Sequence, residues 1–260
     1  MIRQIIAQIL FLTRIPVPLK TGFNEDDLVK GVIFAPIAGL ITGSILAGAY
    51  FLLYISGLYI PAVISVIVLE IIITGGLHLD GLADTADGFF SYRPKEKVIQ
   101  IMKDPHVGTN GILALIIVIL MKCALLFSLN RVSLPFYLIV IPILSRMNIA
   151  WCAGLSVYAG KEKSLAKLIV ESTGTRRIII TTIISCLIIL AIFGMKKIIL
   201  TISLVLIATG FASLFSYYSR KKINGITGDV IGAVIELTEV VILIFLLVFE
   251  TVPQLRSVLF

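Results

Sequence analysis

The chain has 260 residues, 58% of them apolar and only 14% charged, against about half and about a quarter in ordinary soluble domains. So many isoleucines and leucines cannot be hidden by a water-soluble fold of this length, and the same numbers exclude disorder. The excess of 22 Lys and Arg over 15 Asp and Glu, a net +7, points to loops facing anionic headgroups and not to nucleic acid. Cys123, Cys152 and Cys186 sit inside apolar runs without metal-like spacing, so they read as small hydrophobes.

The N-terminal stretch carries Arg3 and an apolar run but no small-residue cleavage site, and reads as mature sequence. Ile2, Ile5, Ile6, Ile9 and Leu10 fall at helical spacing opposite Arg3, Gln4 and Gln8, which predicts a short interfacial helix stopped by Pro16 and Pro18. Asn24 followed by Glu25, Asp26 and Asp27 reads as a helix N-cap with an acidic first turn. A membrane-crossing helix needs about 20 mostly apolar residues. Seven runs come close: 32–55, 58–74, 112–129, 132–155, 178–195, 198–215 and 230–249. No internal repeat or low-complexity linker divides them. The sequence therefore predicts an all-α, polytopic integral membrane bundle of about seven transmembrane helices, with residues 1–260 forming one membrane domain. With the N-terminus in the cytoplasm, 16 Lys and Arg fall on inside segments and 4 (Arg131, Lys196, Lys197 and Arg256) outside, which sets the orientation. Lys122 and Arg146 fall within spans.

The chemistry concentrates between residues 75 and 111, a segment holding both histidines and five acids. If 79–88 is helical, Asp80, Asp84 and Asp87 project from one face within about 40° of each other. The rest of that segment is apolar or small, so a solvated acidic face fits poorly and a hard cation such as Mg²⁺ fits better. Pro94 opens a short helix running to Lys103, with Ile99 and Met102 on its apolar side. Asp104 reads either as a further ligand or as a helix stop. In the following turn, His106 and Gly108 lie before a helix start that could cradle phosphate. His78 and His106 are candidates for acid or base work, with a structural role open for His78. Later in the chain, Arg220, Lys221 and Lys222 precede a turn containing Thr227 and Asp229, a pattern that either binds pyrophosphate or anchors the membrane. Glu236 and Glu239, one helical turn apart inside a span, need a partner such as Arg146, Lys122 or a metal.

These motifs together resemble the cobalamin synthase family, the adenosylcobinamide-GDP ribazoletransferases. The resemblance covers essentially the whole chain and rests on FLTRIPVP at 11–18, GLHLDGLADTADG at 76–88, Met102-Lys103-Asp104 with Gly108, Thr109 and Gly111, and GITGDVIGAVIELTE at 225–239. Pro105 and His106 depart from the small polar and basic residues expected there. The resemblance implies a Mg²⁺-dependent transferase of phosphorus-containing groups, in the bacterial inner or archaeal plasma membrane, with a cytoplasmic active site. Its reaction would join adenosylcobinamide-GDP to α-ribazole or α-ribazole 5′-phosphate, with release of GMP, in the last stage of vitamin B12 assembly. Under it, Asp80, Asp84, Asp87 and Asp104 are catalytic, with Glu236 and Glu239 joining the first three as metal ligands. Arg93, Lys103, His106, Gly108, Arg220, Thr227 and Asp229 are expected to bind substrate. A homo-oligomer is compatible with this. Two other classes remain open: a CDP-alcohol phosphotransferase, whose DGxxAR arrangement is absent here, and a transporter using Glu70, Arg146, Glu236 and Glu239 as a pathway.

Overall fold

The computed structural model describes residues 1–17 and 24–252. Pro18, Lys20 and Arg256, used above for the helix stop and the charge count, lie outside them. Helix α1 (Ile2–Leu12) packs on α2 (Glu25–Gly31), which passes through a single 3-10 turn at Val32–Phe34 into α3 (Ala35–Ile55). The N-cap is as predicted: Asn24 accepts the Asp27 N–H at 2.7 Å and three acids fill the first turn. The expected polar face of α1 is different. Gln8 is buried and donates from Nε2 to the Leu28 carbonyl at 2.8 Å, whereas Ile2 is exposed. Packing against α2 decides this, because a buried amide is tolerated once its hydrogen bond is made.

Helices α4 (Tyr59–Thr74) and α5 (Leu77–Phe89) meet at 88°. The break falls on Gly75 and Gly76, with φ of +63° and +71°, a backbone region in which residues without a Cβ are unstrained. Arg14 lies against this corner, its N–H donating to the Ile73 carbonyl at 2.6 Å and its side chain filling the space a Cβ on Gly75 would need. The chain continues as α6 (Lys95–Ile101), α7 (Thr109–Ser128), α8 (Leu134–Leu155), α9 (Leu165–Ser172), α10 (Thr175–Phe193), α11 (Ile198–Ile223) and α12 (Gly228–Thr251).

Six helical segments are each long and apolar enough to cross a membrane, and α4 with α5 supplies a seventh, broken one. The protein is thus an all-helical, multi-pass membrane protein, and each of the seven predicted runs lies on one of these helices. Three boundaries differ usefully. Helix α7 starts at Thr109, so Thr109 to Gly111 are helical. Helix α11 runs on to Ile223, which puts Arg220, Lys221 and Lys222 in its last turn, where the helix dipole favours cations. Helix α9 was not predicted; Ser164 caps it by accepting the Lys167 N–H at 3.1 Å.

Helices α8 and α12 form the centre, each mostly buried, whereas α7 and α10 expose most of their surface. Helix α3 lies along α8 through Gly39 and Gly43. A Cβ on Gly43 would stand 2.6 Å from the Leu138 carbonyl oxygen, and one on Gly39 would come closer still to that of Pro142. Small residues four apart bring two backbones into direct contact in lipid. Gly43→Leu should therefore destabilise the detergent-solubilised protein by an amount on the order of 3 kcal/mol. Gly48→Leu should not, since none of the described residues stands within 4 Å of a Cβ there. Thermal unfolding compares the two; equal melting temperatures would show that the α3–α8 contact is not limiting.

Candidate functional site

Asp80, Asp84 and Asp87 do share one face of α5, stepping from exposed through half-buried to buried. Helix α5 packs on the first turns of α12, and the contact depends on missing side chains: a Cβ on Gly81 would meet the Asp229 carbonyl oxygen at 2.8 Å, and Gly232 lies against the backbone of His78. This brings Asp229 beside the α5 carboxylates. Thr227 caps α12, accepting the Val230 N–H at 3.3 Å, and its hydroxyl also donates to Asp229 Oδ2 at 3.2 Å. Asp84 lies within the electrostatic reach of Asp80, Asp229 and Asp87, so the structure assembles four carboxylates from the two motifs.

Their environments separate their roles. Asp87 accepts the Gly108 N–H at 2.7 Å and the Gly111 N–H at 2.8 Å, so its carboxylate caps α7 from another helix. A Cβ on either glycine would stand 2.5 Å from an Asp87 oxygen. This corrects the expectation that Gly108 offers its N–H to a phosphate: that donor already serves Asp87. Among the described residues Asp80 and Asp84 accept no such backbone bond, while Asp229 is held at the start of its own helix by its own N–H and by the Thr227 hydroxyl. Among the described residues no three His, Cys, Asp or Glu side chains converge closely enough to form a ready-made metal cage.

Two chambers flank this centre. One, of about 160 Å³, is mainly apolar: Phe11, Leu12, Ile149, Ile169 and Ile235 line it together with His78, Asp80 and Asp229. The other, of about 170 Å³, is lined by Lys103, Tyr158, Ser164, Thr227 and Asp229. Ala166, Gly228 and Asp229 belong to both. The polar chamber exists because the loop after α8 pairs with the turn before α12. Ala159 N donates to the Ile226 carbonyl and Ile226 N to the Val157 carbonyl, both at 2.9 Å, and Gly225 leaves room for that crossing. Ser164 donates to the Tyr158 hydroxyl oxygen at 2.9 Å, and Lys103 pairs with Glu162 at 2.8 Å. Sequence reasoning missed Tyr158, Ser164 and Glu162, which stand far from any motif.

Other candidates fall elsewhere. Arg93 and Arg220 are exposed and line neither chamber, and Lys222 donates to the Phe89 carbonyl at 3.1 Å, closing the end of α5. Asp104 accepts the His106 N–H at 3.0 Å and bonds its Nδ1 at 2.8 Å, an exposed local turn. Those two bonds hold the Asp104 carboxyl below the usual carboxylate range. Neither residue touches the α5 carboxylates.

Glu236 and Glu239 are corrected as metal ligands. Lys122 bonds Glu236 at 2.7 Å, Glu239 at 2.5 Å and Glu70 at 3.2 Å; Arg146 bonds Glu239 and lies 3.7 Å from Glu70; and Ser145 donates to Glu239 at 2.9 Å. All five charged side chains are buried. Charge pairing in lipid explains the arrangement: two cations inside the bundle draw the glutamates to themselves. His78 is buried too, with no partner on Nε2 among the described residues.

Fold and site thus define a multi-pass membrane protein with a carboxylate centre between an apolar and a polar chamber. Residues 4–247 match the family described as cobalamin-5-phosphate synthase, and the chain belongs to that family. An adenosylcobinamide-GDP ribazoletransferase of Acetivibrio thermocellus is 37% identical over 251 residues, 96% of this chain and 99% of its own. Relatives of the same name from Caldanaerobacter subterraneus and Fusobacterium nucleatum are 36% and 37% identical, covering 94% and 93% of this chain and 97% and 95% of theirs. No solved structure matches.

The ion network generates a prediction of its own. Lys122→Met would leave three carboxylates facing Arg146 alone, and breaking a buried pair costs roughly 3–5 kcal/mol. The variant should melt well below wild type, and adding Glu236→Gln should restore part of the loss. Additive destabilisation in the double variant would show that Lys122 and Glu236 do not act as a pair.

Proposed function

We propose that the protein is a transferase that joins adenosylcobinamide-GDP to α-ribazole, or its 5′-phosphate, and releases GMP in the last stage of cobalamin assembly. The observation that carries this reading is the grouping of Asp80, Asp84 and Asp229, from the two family motifs, between a chamber suited to an anion and one suited to an apolar ring. A transporter pathway through the glutamates is disfavoured by their pairing with Lys122 and Arg146.

The reaction needs an acceptor hydroxyl, a proton acceptor and compensation of charge on a pyrophosphate. Lys103 in the polar chamber supplies positive charge for the pyrophosphate, and Tyr158 and Ser164 supply hydroxyls. Asp229, held by the Thr227 hydroxyl, stands on the boundary where a hydroxyl and the phosphorus would meet. The hydroxyl oxygen forms a bond to the phosphorus nearer cobinamide, the bond from that phosphorus to GMP breaks with its electron pair leaving on GMP, and the proton passes to a carboxylate. The donor set is all oxygen and suits Mg²⁺, which keeps several waters and is commonly held through only one or two carboxylates, so a ready-made cage is not required. Asp80, Asp84 and Asp229 would hold it, and when bound it would offset charge on the phosphoryl oxygens. Asp87 is left to its structural bonds.

The charge split supports a reading with the N-terminus and this centre on the cytoplasmic side of the cell membrane. A phosphatase reporter fused after Arg131 should be active and one fused after Lys167 silent; the reverse pattern would invert the topology.

Purified protein should release GMP from adenosylcobinamide-GDP only when α-ribazole or its phosphate is present, and chelation should stop it. Asp84→Asn and Asp229→Asn should cut turnover by at least 100-fold without lowering the melting temperature, while Asp26→Asn, at a helix start, should stay active. Asp87→Asn should lose stability as well as turnover. Full activity of Asp84→Asn at limiting Mg²⁺ would remove the carboxylate centre from the reaction.

A further inference from the structure

We infer that the apolar chamber is the binding pocket for the aromatic base of the acceptor nucleoside, with its ribose directed to Asp80 and Asp229. This rests on the transferase reading above and adds the location of one substrate. The chamber measures about 160 Å³. Its walls come from five separated elements: α5, together with Phe11 and Leu12 from α1, Ile149 from α8, Ile169 from α9 and Ile235 from α12. Such a surface has little to offer a pyrophosphate and much to offer a flat, methyl-bearing bicyclic ring.

The polar groups in its wall are few and of the right kind. Asp80 and Asp229 are hydrogen-bond acceptors for ribose hydroxyls, and His78, buried with Nε2 unpartnered among the described residues, belongs to the same wall. Asp229 is shared with the polar chamber, so an acceptor seated by its base would present its ribose at the one wall common to both. The glycines explain why the pocket can exist beside so close a helix contact. Gly81 and Gly232 let α5 and α12 touch through their backbones, which leaves the side chains of α1, α8 and α9 to enclose the space beside them.

The test uses the full-length protein in detergent and direct binding of α-ribazole, followed by the fluorescence of its benzimidazole, with adenosylcobinamide-GDP binding measured in parallel. Ile149→Phe and Ile169→Phe fill the chamber and should weaken α-ribazole at least 10-fold, leaving the donor within 2-fold. Wild-type α-ribazole affinity in both variants, or weakening of the donor alone, would overturn the proposal. Should either bulky variant fail to fold, Ile169→Cys carries the same test. α-Ribazole should slow its modification by methyl methanethiosulfonate at least 10-fold, read at that residue by mass spectrometry, and adenosylcobinamide-GDP should not. Equal rates with and without α-ribazole, or no modification of the free protein, would overturn it. GMP release by wild-type protein separates the two levels. Release with unaltered α-ribazole affinity in the filled variants sinks the chamber alone, and protected binding without GMP release sinks the transferase reading alone.

Discussion

Charge inside a bilayer must be paired, and in this protein that requirement joins four helices at one point. Lys122 on α7 and Arg146 on α8 meet Glu70 on α4 and Glu236 and Glu239 on α12. An unpaired member would cost several kcal/mol in lipid, so a bundle that separated any of these helices would expose a charge. The network therefore specifies which helices are neighbours more strongly than the apolar packing around it can, because leucine and lipid tails are nearly equivalent solvents for one another.

Glycine sets the second constraint, the depth at which helices meet. At Gly39 and Gly43 the backbones of α3 and α8 touch; at Gly81 and Gly232 those of α5 and α12 do. The latter contact brings an acidic motif near residue 80 against another at 229. Within the resulting group, one residue type does two jobs. Asp87 is satisfied by two backbone N–H groups and holds α7, while Asp80 and Asp84 accept no such bonds among the described residues and Asp229 is held by its own helix start.

Much of this was legible in the sequence because it is periodic or local. Seven apolar runs gave the helices, the i, i+4, i+7 spacing gave the aspartate face, and Asn24 announced its cap. What was not legible depends on contacts between distant segments. Nothing near Asp87 indicates that its acceptors will be claimed by amides more than 20 residues later. Gln8 looked solvent-facing until Leu28 supplied its acceptor. Helix α9 is only 8 residues long and was hidden in a basic loop, yet it supplies Ala166 and Ile169 to the chambers. Glu236 and Glu239 were readable as needing partners, but spacing alone does not choose between a metal and the two cations that the fold brings to them.

Helix α12 connects the two halves of the molecule. Asp229 lies in its first turn and Glu236 seven residues on, a rise of roughly 10 Å along a continuous helix. The helix is fixed at its start by the Thr227 cap and in its middle by Lys122 and Arg146, and α5 lies against it through glycine. A carboxylate carried on so restrained an element can be held within the few tenths of an ångström that a reacting geometry requires, whereas the same residue on a loop could not. In the proposed reaction the ion network would contribute without touching substrate, because it anchors, among buried side chains, the rod on which Asp229 is mounted.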